Sequence, residues 1–218
     1  MRVAAMVFDF DGLLMDTESV MLASWQYEWR QHGLDLDLAS FWVNHGGDVT
    51  EDRYQQLGAA VGSSFDRNAS HARRTAYRDD LNRRLGLRPG IDAWLDDGRG
   101  AGLRLAVASS SPTTWVQSLL AGIGKDGCFA AFACGDEVAH PKPSPEVYLL
   151  ALDRLGVLAA EAVAVEDSPH GVAAAIAAGL RCIGIPNPHV AAESLRAADL
   201  VLASAADLSL ARALERLQ

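Results

Sequence analysis

From Ile91 onward the chain alternates short apolar runs with helical stretches, and few architectures accept that order. Residues 91–100 predict a helix, 103–108 a buried strand, and 112–121 a helix opened by serine and proline. A third strand is predicted over 129–134, then a helix over 144–155 with Pro145 in its first turn. Residues 162–165 predict a fourth strand, and 172–178 an alanine-rich helix closed by Gly179. Short strands over 181–185 and 200–202 and a helix over 208–217 complete the series. Strand–helix alternation of this kind predicts an α/β fold, a doubly wound parallel sheet with helices on both faces.

One strand stands apart. The apolar run 3–8 predicts a buried strand, yet the section after it, 17–84, carries its apolar residues at helical spacing (Val20, Leu22, Trp25, Trp29). The segment Leu85-Gly86-Leu87-Arg88-Pro89-Gly90 then punctuates the chain as a boundary. The helical section interrupts the alternation, so it is expected to be an inserted helical bundle of about 70 residues, near the lower end of domain size. The expected division is 1–16 with 87–218 as the core and 17–86 as the insert. Trp25, Trp29 and Trp94 are expected to pack as core aromatics of the insert.

Composition excludes some roles. A net charge of −9 argues against a general nucleic-acid surface, although it leaves room for an anionic substrate. No apolar stretch approaches the roughly 18 residues of a membrane span, and no leader pattern opens the chain. Cys128, Cys134 and Cys182 lie scattered in apolar contexts. They are expected to be buried free thiols in a reducing, cytoplasmic setting. Lysine occurs at Lys125 and Lys142 alone, against 17 arginines, so Lys142 between two prolines is not generic surface charge.

Four clusters follow strands and should meet at the carboxyl edge of the sheet: Asp9/Asp11, Ser109/Ser110, Lys142 and Glu166/Asp167. Asp9 and Asp11, two positions apart, would share one face of an extended strand. Clustered carboxylates repel unless a cation or proton lies between them, which points to a hard metal such as Mg2+. A lysine and serines at a helix start add an anion site. Each cluster alone has a plainer reading: a helix cap for Ser109 to Ser111, a solvated loop for Lys142, and an acidic helix start for Glu166-Asp167. It is the combination that points to a site.

The same residues carry a resemblance. Asp9-Phe10-Asp11-Gly12, Ser109, Lys142 within Pro141-Lys142-Pro143-Ser144-Pro145-Glu146, and Glu166-Asp167-Ser168-Pro169-His170-Gly171 match, in order, the four motifs of haloacid dehalogenase-like (HAD) phosphohydrolases. The chain resembles the group with a helical cap inserted after the first strand, over almost its whole length. The resemblance implies a Rossmann-like HAD core, Asp9 as nucleophile forming an aspartyl-phosphate, and Asp11 as general acid/base. It also implies Ser109, the Ser110 N–H and Lys142 as phosphate holders. Mg2+ would be held by Asp9, the Asp11 carbonyl, Asp167 and, directly or through water, Glu166. The lysine and the metal would offset the repulsion between carboxylate and phosphate, about 4 kcal/mol for unit charges ~4 Å apart at an effective dielectric of 20.

Departures narrow the choice within the family. The dehalogenase branch lacks the second aspartate, and a phosphonatase would use a cap lysine, which 17–84 does not contain. The β-phosphoglucomutase pattern places a histidine near the position of Met21 and a basic cap loop where this chain has Asn44-His45-Gly46-Gly47-Asp48-Val49-Thr50. The resemblance therefore implies a phosphomonoester phosphatase, with a sugar phosphomutase as the alternative and a catalytically idle interaction protein as a third reading. The partner would be a small phosphate ester, with no nucleic acid and no membrane, and the chain a monomer or weak dimer. The cap should close over the core, and Asn44, His45, Asp48, Arg53 and Arg78 are candidates for substrate specificity.

Overall fold

In a computed structural model the described residues are 3–42 and 49–217. Six strands among them form one parallel sheet: β1 (Ala5–Phe8), β2 (Arg104–Ala108), β3 (Ala131–Ala133), β4 (Ala162–Glu166), β5 (Arg181–Gly184) and β6 (Leu200–Val201). Their order across the sheet is β3-β2-β1-β4-β5-β6. The expected α/β class and parallel sheet are present, with helices α1 (Thr17–Gln31), α2 (Leu38–Phe41), α3 (Thr50–Val61) and α4 (Arg67–Asn82) following β1. The later helices are α5 (Ile91–Gly100), α6 (Thr113–Gly122), α7 (Glu146–Leu155), α8 (Pro169–Ala177) and α9 (Leu210–Arg216).

The strands alternate large and small side chains, and this sorts the two faces. Met6, Phe8, Leu105, Val107, Val163 and Val165 pack in one layer with Ile91 and Leu95 of α5, Val116 and Leu120 of α6, and Leu210 of α9. Ala5, Val7, Ala106, Ala108, Ala162 and Ala164 pack in the other with Val147 and Ala151 of α7 and Ala174 and Ala175 of α8. Fully burying each of the larger side chains stabilises the fold by about 1.5–3 kcal/mol. The alanine face brings α7 and α8 close to the strand backbones. Helix α8 starts where Pro169 supplies a preset φ and the Ser168 hydroxyl accepts the Gly171 N–H at 3.1 Å.

Several elements are shorter than the sequence predicts. The first strand begins at Ala5 rather than at residue 3, and the third covers 131–133 rather than 129–134. Phe129 closes a 3₁₀ turn and Cys134 opens another, so local turns claim both ends of that edge strand. Pro145 is the residue before α7, not part of its first turn.

By packing, the chain divides into Met1–Glu18 with Leu85–Gln218, and Ser19–Arg84. In the second unit Trp25, Phe41 and Tyr54 form a buried cluster with Trp29 against it. Arg74 is buried there, donating to the Tyr54 hydroxyl at 2.7 Å and to Ser24 at 3.2 Å, with its guanidinium over the Trp25 ring. Trp94 belongs elsewhere than expected: it lies on α5, in the large-residue layer of the sheet, and its indole donates to the Leu208 carbonyl at 2.9 Å. Cys134 and Cys182 are buried free thiols, but Cys128 is half-buried because it ends an exposed 3₁₀ turn. Among the described residues no helix is long and apolar enough to cross a membrane.

Candidate active site

Strand order reverses on the two sides of β1, since β2 and β3 lie to one side and β4, β5 and β6 to the other. In open α/β sheets the crevice at such a reversal, at the carboxyl ends of the strands, is where ligands bind. Asp9 follows β1 there. Its N–H donates to the Val165 carbonyl at 2.9 Å, which carries the ladder with β4 one residue past the strand. Glu166 ends β4, and Asp167 comes next.

Lys142 joins these residues from the loop between β3 and α7. Its ammonium donates to Asp9 Oδ1 at 2.5 Å, Glu166 Oε1 at 2.6 Å and the Ala108 carbonyl at 2.9 Å. Three contacts use the three protons of an ammonium. The Tyr148 hydroxyl donates to the same Glu166 oxygen at 2.6 Å, and the Asp167 N–H reaches Glu166 Oε2 at 3.2 Å. Glu166 lies over Gly171, where a Cβ would fall within about 2 Å of the carboxylate. The glycine is needed for that close approach.

Ligand oxygens of Asp9, Glu166 and Asp167 lie within 4.8 Å of one another, all buried. Three carboxylates face one lysine, more acid than a single ammonium balances once all three are ionised. An all-oxygen, acid-rich set of this kind fits a hard divalent cation such as Mg2+. The surrounding packing fits as well. A Cβ on Gly12, whose φ is +79°, would lie 2.1 Å from Asp167 Oδ2. Asn187 holds that oxygen at 2.7 Å through its amide while accepting the His189 N–H at 2.8 Å. The second acidic group, Cys134, Asp136 and Glu137, is already engaged: Asp136 accepts from Thr113, and Glu137 pairs with Arg154 at 2.7 Å.

The charges are poised by burial. Burial raises the Asp9 carboxyl to about 8; Lys142 opposes the rise and Glu166 adds to it. Burial, then the charges of Asp9 and Glu166, hold Asp167 well above the ordinary carboxylate range. Burial disfavours the charged Lys142, but Asp9 and Glu166 outweigh it and keep the ammonium above the usual lysine range. Between about pH 4 and 8 the folded, metal-free protein therefore holds a proton on Asp9 that the unfolded chain has released, and Asp167 is shifted in the same direction. Stability then falls as pH rises through that window. Thermal unfolding in EDTA is expected to show Tm decreasing from pH 5 to pH 8.5. Added Mg2+ should raise Tm more at pH 8.5 than at pH 5, because a cation replaces that proton. A Tm in EDTA that does not fall across that range, or one that Mg2+ leaves unmoved at pH 8.5, would remove the trio as a cation site.

Asp11 occupies a different setting. The sequence expectation of a shared strand face fails, because β1 ends at Phe8 and the chain then turns, with Asp11 bridged to Met15. Its Oδ1 accepts from Thr17 Oγ1 at 2.8 Å and from Trp115 Nε1 at 2.9 Å. Its Oδ2 accepts from Ser111 Oγ at 2.6 Å and lies 3.4 Å from Ser109 Oγ. Ser109 is buried and accepts the Ser111 N–H at 3.0 Å, while Ser110 Oγ takes the backbone N–H of Lys142 at 3.3 Å. The four predicted clusters thus meet, and Ser109 and Asp11 stand beside the lysine–carboxylate group.

The cap candidates divide. Asn44, His45 and Asp48 lie outside the described residues. Arg53 is buried within the helical unit, with Nη1 on the Met21 sulfur at 3.3 Å, Nη2 on the Phe41 carbonyl at 3.3 Å, and its guanidinium over the Phe41 ring. Arg78 pairs with Asp79 at 3.1 Å. Sequence reasoning missed Tyr148, Asn187, Ser111, Thr17 and Trp115. Asn187 was within reach, since it follows β5 on the same sheet edge.

The fold and this edge define a class, doubly wound α/β proteins with a buried acid cluster at the switch point of a parallel sheet. The family model for haloacid dehalogenase-like hydrolases matches residues 6–185, and the chain belongs to that family. It is a phosphatase-type HAD hydrolase. The chain is 35% identical to the YhcW protein of Bacillus subtilis over 217 residues, 99% of this chain and 98% of that one. It is 30% identical to the fructose-1-phosphate phosphatase YqaB of Escherichia coli, over 84% of this chain and 97% of that one. Among solved structures, CbbY from Rhodobacter sphaeroides in complex with phosphate superposes with a TM-score of 0.76 at 32% identity, covering 96% of this chain and 98% of that chain. A mutant of the same protein has been solved with xylulose-(1,5)bisphosphate.

Proposed function

We propose that the chain is a Mg2+-dependent phosphomonoesterase that hydrolyses a small phosphorylated metabolite, a sugar phosphate, through an aspartyl-phosphate on Asp9. The observation that carries this reading is the Lys142 ammonium bridging Asp9 and Glu166 beside Asp167 at the sheet's switch point. The relatives named for fructose 1-phosphate, and solved with phosphate or a sugar bisphosphate, support the substrate class.

In the first half-reaction the Asp9 carboxylate attacks phosphorus, the ester P–O bond breaks, and Asp11 gives a proton to the departing oxygen. In the second, Asp11 takes a proton from water, the water oxygen bonds phosphorus, and the Asp9–phosphate bond breaks to release phosphate. Lys142 fixes the orientation of Asp9 and supplies positive charge beside it. Ser109 and the Ser110 N–H hold phosphoryl oxygens. Asp9, Asp167 and the Asp11 carbonyl, with Glu166 behind them, would hold Mg2+, which supplies charge neutralisation at the phosphoryl group when bound. Asn187 keeps Asp167 aligned for that role.

The mutase alternative needs a cap histidine and a basic grip on a second phosphate. At the position in question stands Met21, a thioether that receives Arg53 and cannot relay a proton. Purified protein with Mg2+ is expected to release inorganic phosphate from several sugar phosphates. Conversion of β-glucose 1-phosphate to glucose 6-phosphate with little phosphate released would establish the mutase instead. An inert wild type on p-nitrophenyl phosphate and the whole panel would leave the idle-protein reading.

A further inference from the structure

We infer that Trp115 is a positioning residue that reserves one particular oxygen of Asp11, Oδ2, for proton transfer. The inference rests on Asp11 acting as general acid/base, as proposed above. Trp115 stands in the first turn of α6, half-buried, and its indole N–H donates to Asp11 Oδ1 at 2.9 Å. Thr17 donates to the same oxygen at 2.8 Å, so two donors occupy its two lone-pair positions. An indole N–H donates and never accepts, so the proton cannot sit on the lone pair that Trp115 occupies, and a protonated Oδ1 would accept this bond more weakly than the charged oxygen does, which favours the proton on Oδ2.

The other oxygen is different in kind. Oδ2 faces two hydroxyls, Ser111 Oγ at 2.6 Å and Ser109 Oγ at 3.4 Å. A hydroxyl turns from donor to acceptor by rotating about its C–O bond. Oδ2 can therefore be charged or protonated with its neighbours satisfied in both states. It is also the oxygen on the side of Ser109, where the phosphoryl group would be held. The proton leaves Oδ2 for the ester oxygen as the P–O bond breaks, and the attacking water restores it. Trp115 undergoes no chemistry. Without its N–H the carboxyl group can rotate or present the proton on the wrong oxygen, at a cost felt by substrates that need an acid.

The test separates positioning from bulk structure by leaving group. A p-nitrophenolate departs with little acid assistance, whereas an alkoxide requires a proton. Trp115→Phe keeps a ring and removes the donor. It is expected to lower kcat/KM for an alkyl ester such as glycerol 2-phosphate about tenfold or more, part of the 10²–10⁴ that a general acid contributes. The same variant should hold p-nitrophenyl phosphate within about threefold. Should Trp115→Phe fail to fold, 3-benzothienylalanine at position 115, the same shape with sulfur in place of N–H, carries the same expectation. Equal losses on both esters, or no loss on either, overturn the inference. A wild type inert toward both overturns the proposed function and this inference with it, so the two failures are distinguishable.

Discussion

Asp9→Asn is expected to remove turnover altogether in practical terms, with kcat falling by on the order of 10⁴–10⁶, the scale seen when a covalent nucleophile is lost. The amide has the size of the carboxylate and still offers Lys142 an oxygen, so the fold should survive. That isolates the chemical role. The measurement is phosphate release from the best sugar phosphate, together with the mass of acid-quenched enzyme after mixing with substrate. Wild type should show added mass of one phosphoryl group, and the variant none. Wild-type rates in the variant would place the nucleophile elsewhere and end the mechanism.

The second large effect falls on both activity and stability. Lys142 is buried with its three protons on Asp9, Glu166 and the Ala108 carbonyl. Lys142→Ala leaves two buried carboxylates side by side with no counter-ion, and breaking such a group by removing one partner costs about 3–5 kcal/mol. Proton uptake offsets part of that cost at low pH. With the lysine gone, the one strong influence that lowers Asp9 disappears, so its carboxyl rises above the value of about 8 that it has here. The destabilisation should therefore be larger at pH 8.5 than at pH 5, read by urea denaturation in EDTA. Activity should fall by about 10²–10⁴. Lys142→Arg should not rescue it, because a planar fork cannot place three protons of one nitrogen on three separate acceptors. An alanine variant equally stable at both pH values would show that the carboxylates are not coupled through this lysine.

Much of the architecture was legible because it depends on local rules. The Ala-Val-Ala-Val-Glu run of β4 shows both its burial and its acidic end, and Ser168-Pro169 announces the start of α8. The four clusters were identifiable as strand-end or loop polar groups, and a parallel sheet carries all such ends to one edge. Other features were not legible. The spacing of Asp9 and Asp11 suggested a shared strand face, but the strand stops one residue before Asp9 and the two carboxylates enter separate environments. Arg53, a specificity candidate on its sequence, is buried against an aromatic ring, and so is Arg74. Burial of an arginine depends on what surrounds it, and no local pattern encodes that.

The sequence by itself determined a parallel α/β sheet, an inserted helical section, and a set of acids, hydroxyls and one lysine brought to a common edge, since hydrophobic period and strand direction are local properties. Tertiary structure decided how those groups are paired: Lys142 between Asp9, 133 residues away, and Glu166, 24 away, Asn187 on Asp167, and Trp115 on Asp11, 104 residues apart. Hydrogen bonds at that separation form only after packing has fixed the backbones, so their partners are properties of the assembled fold and not of any segment within it.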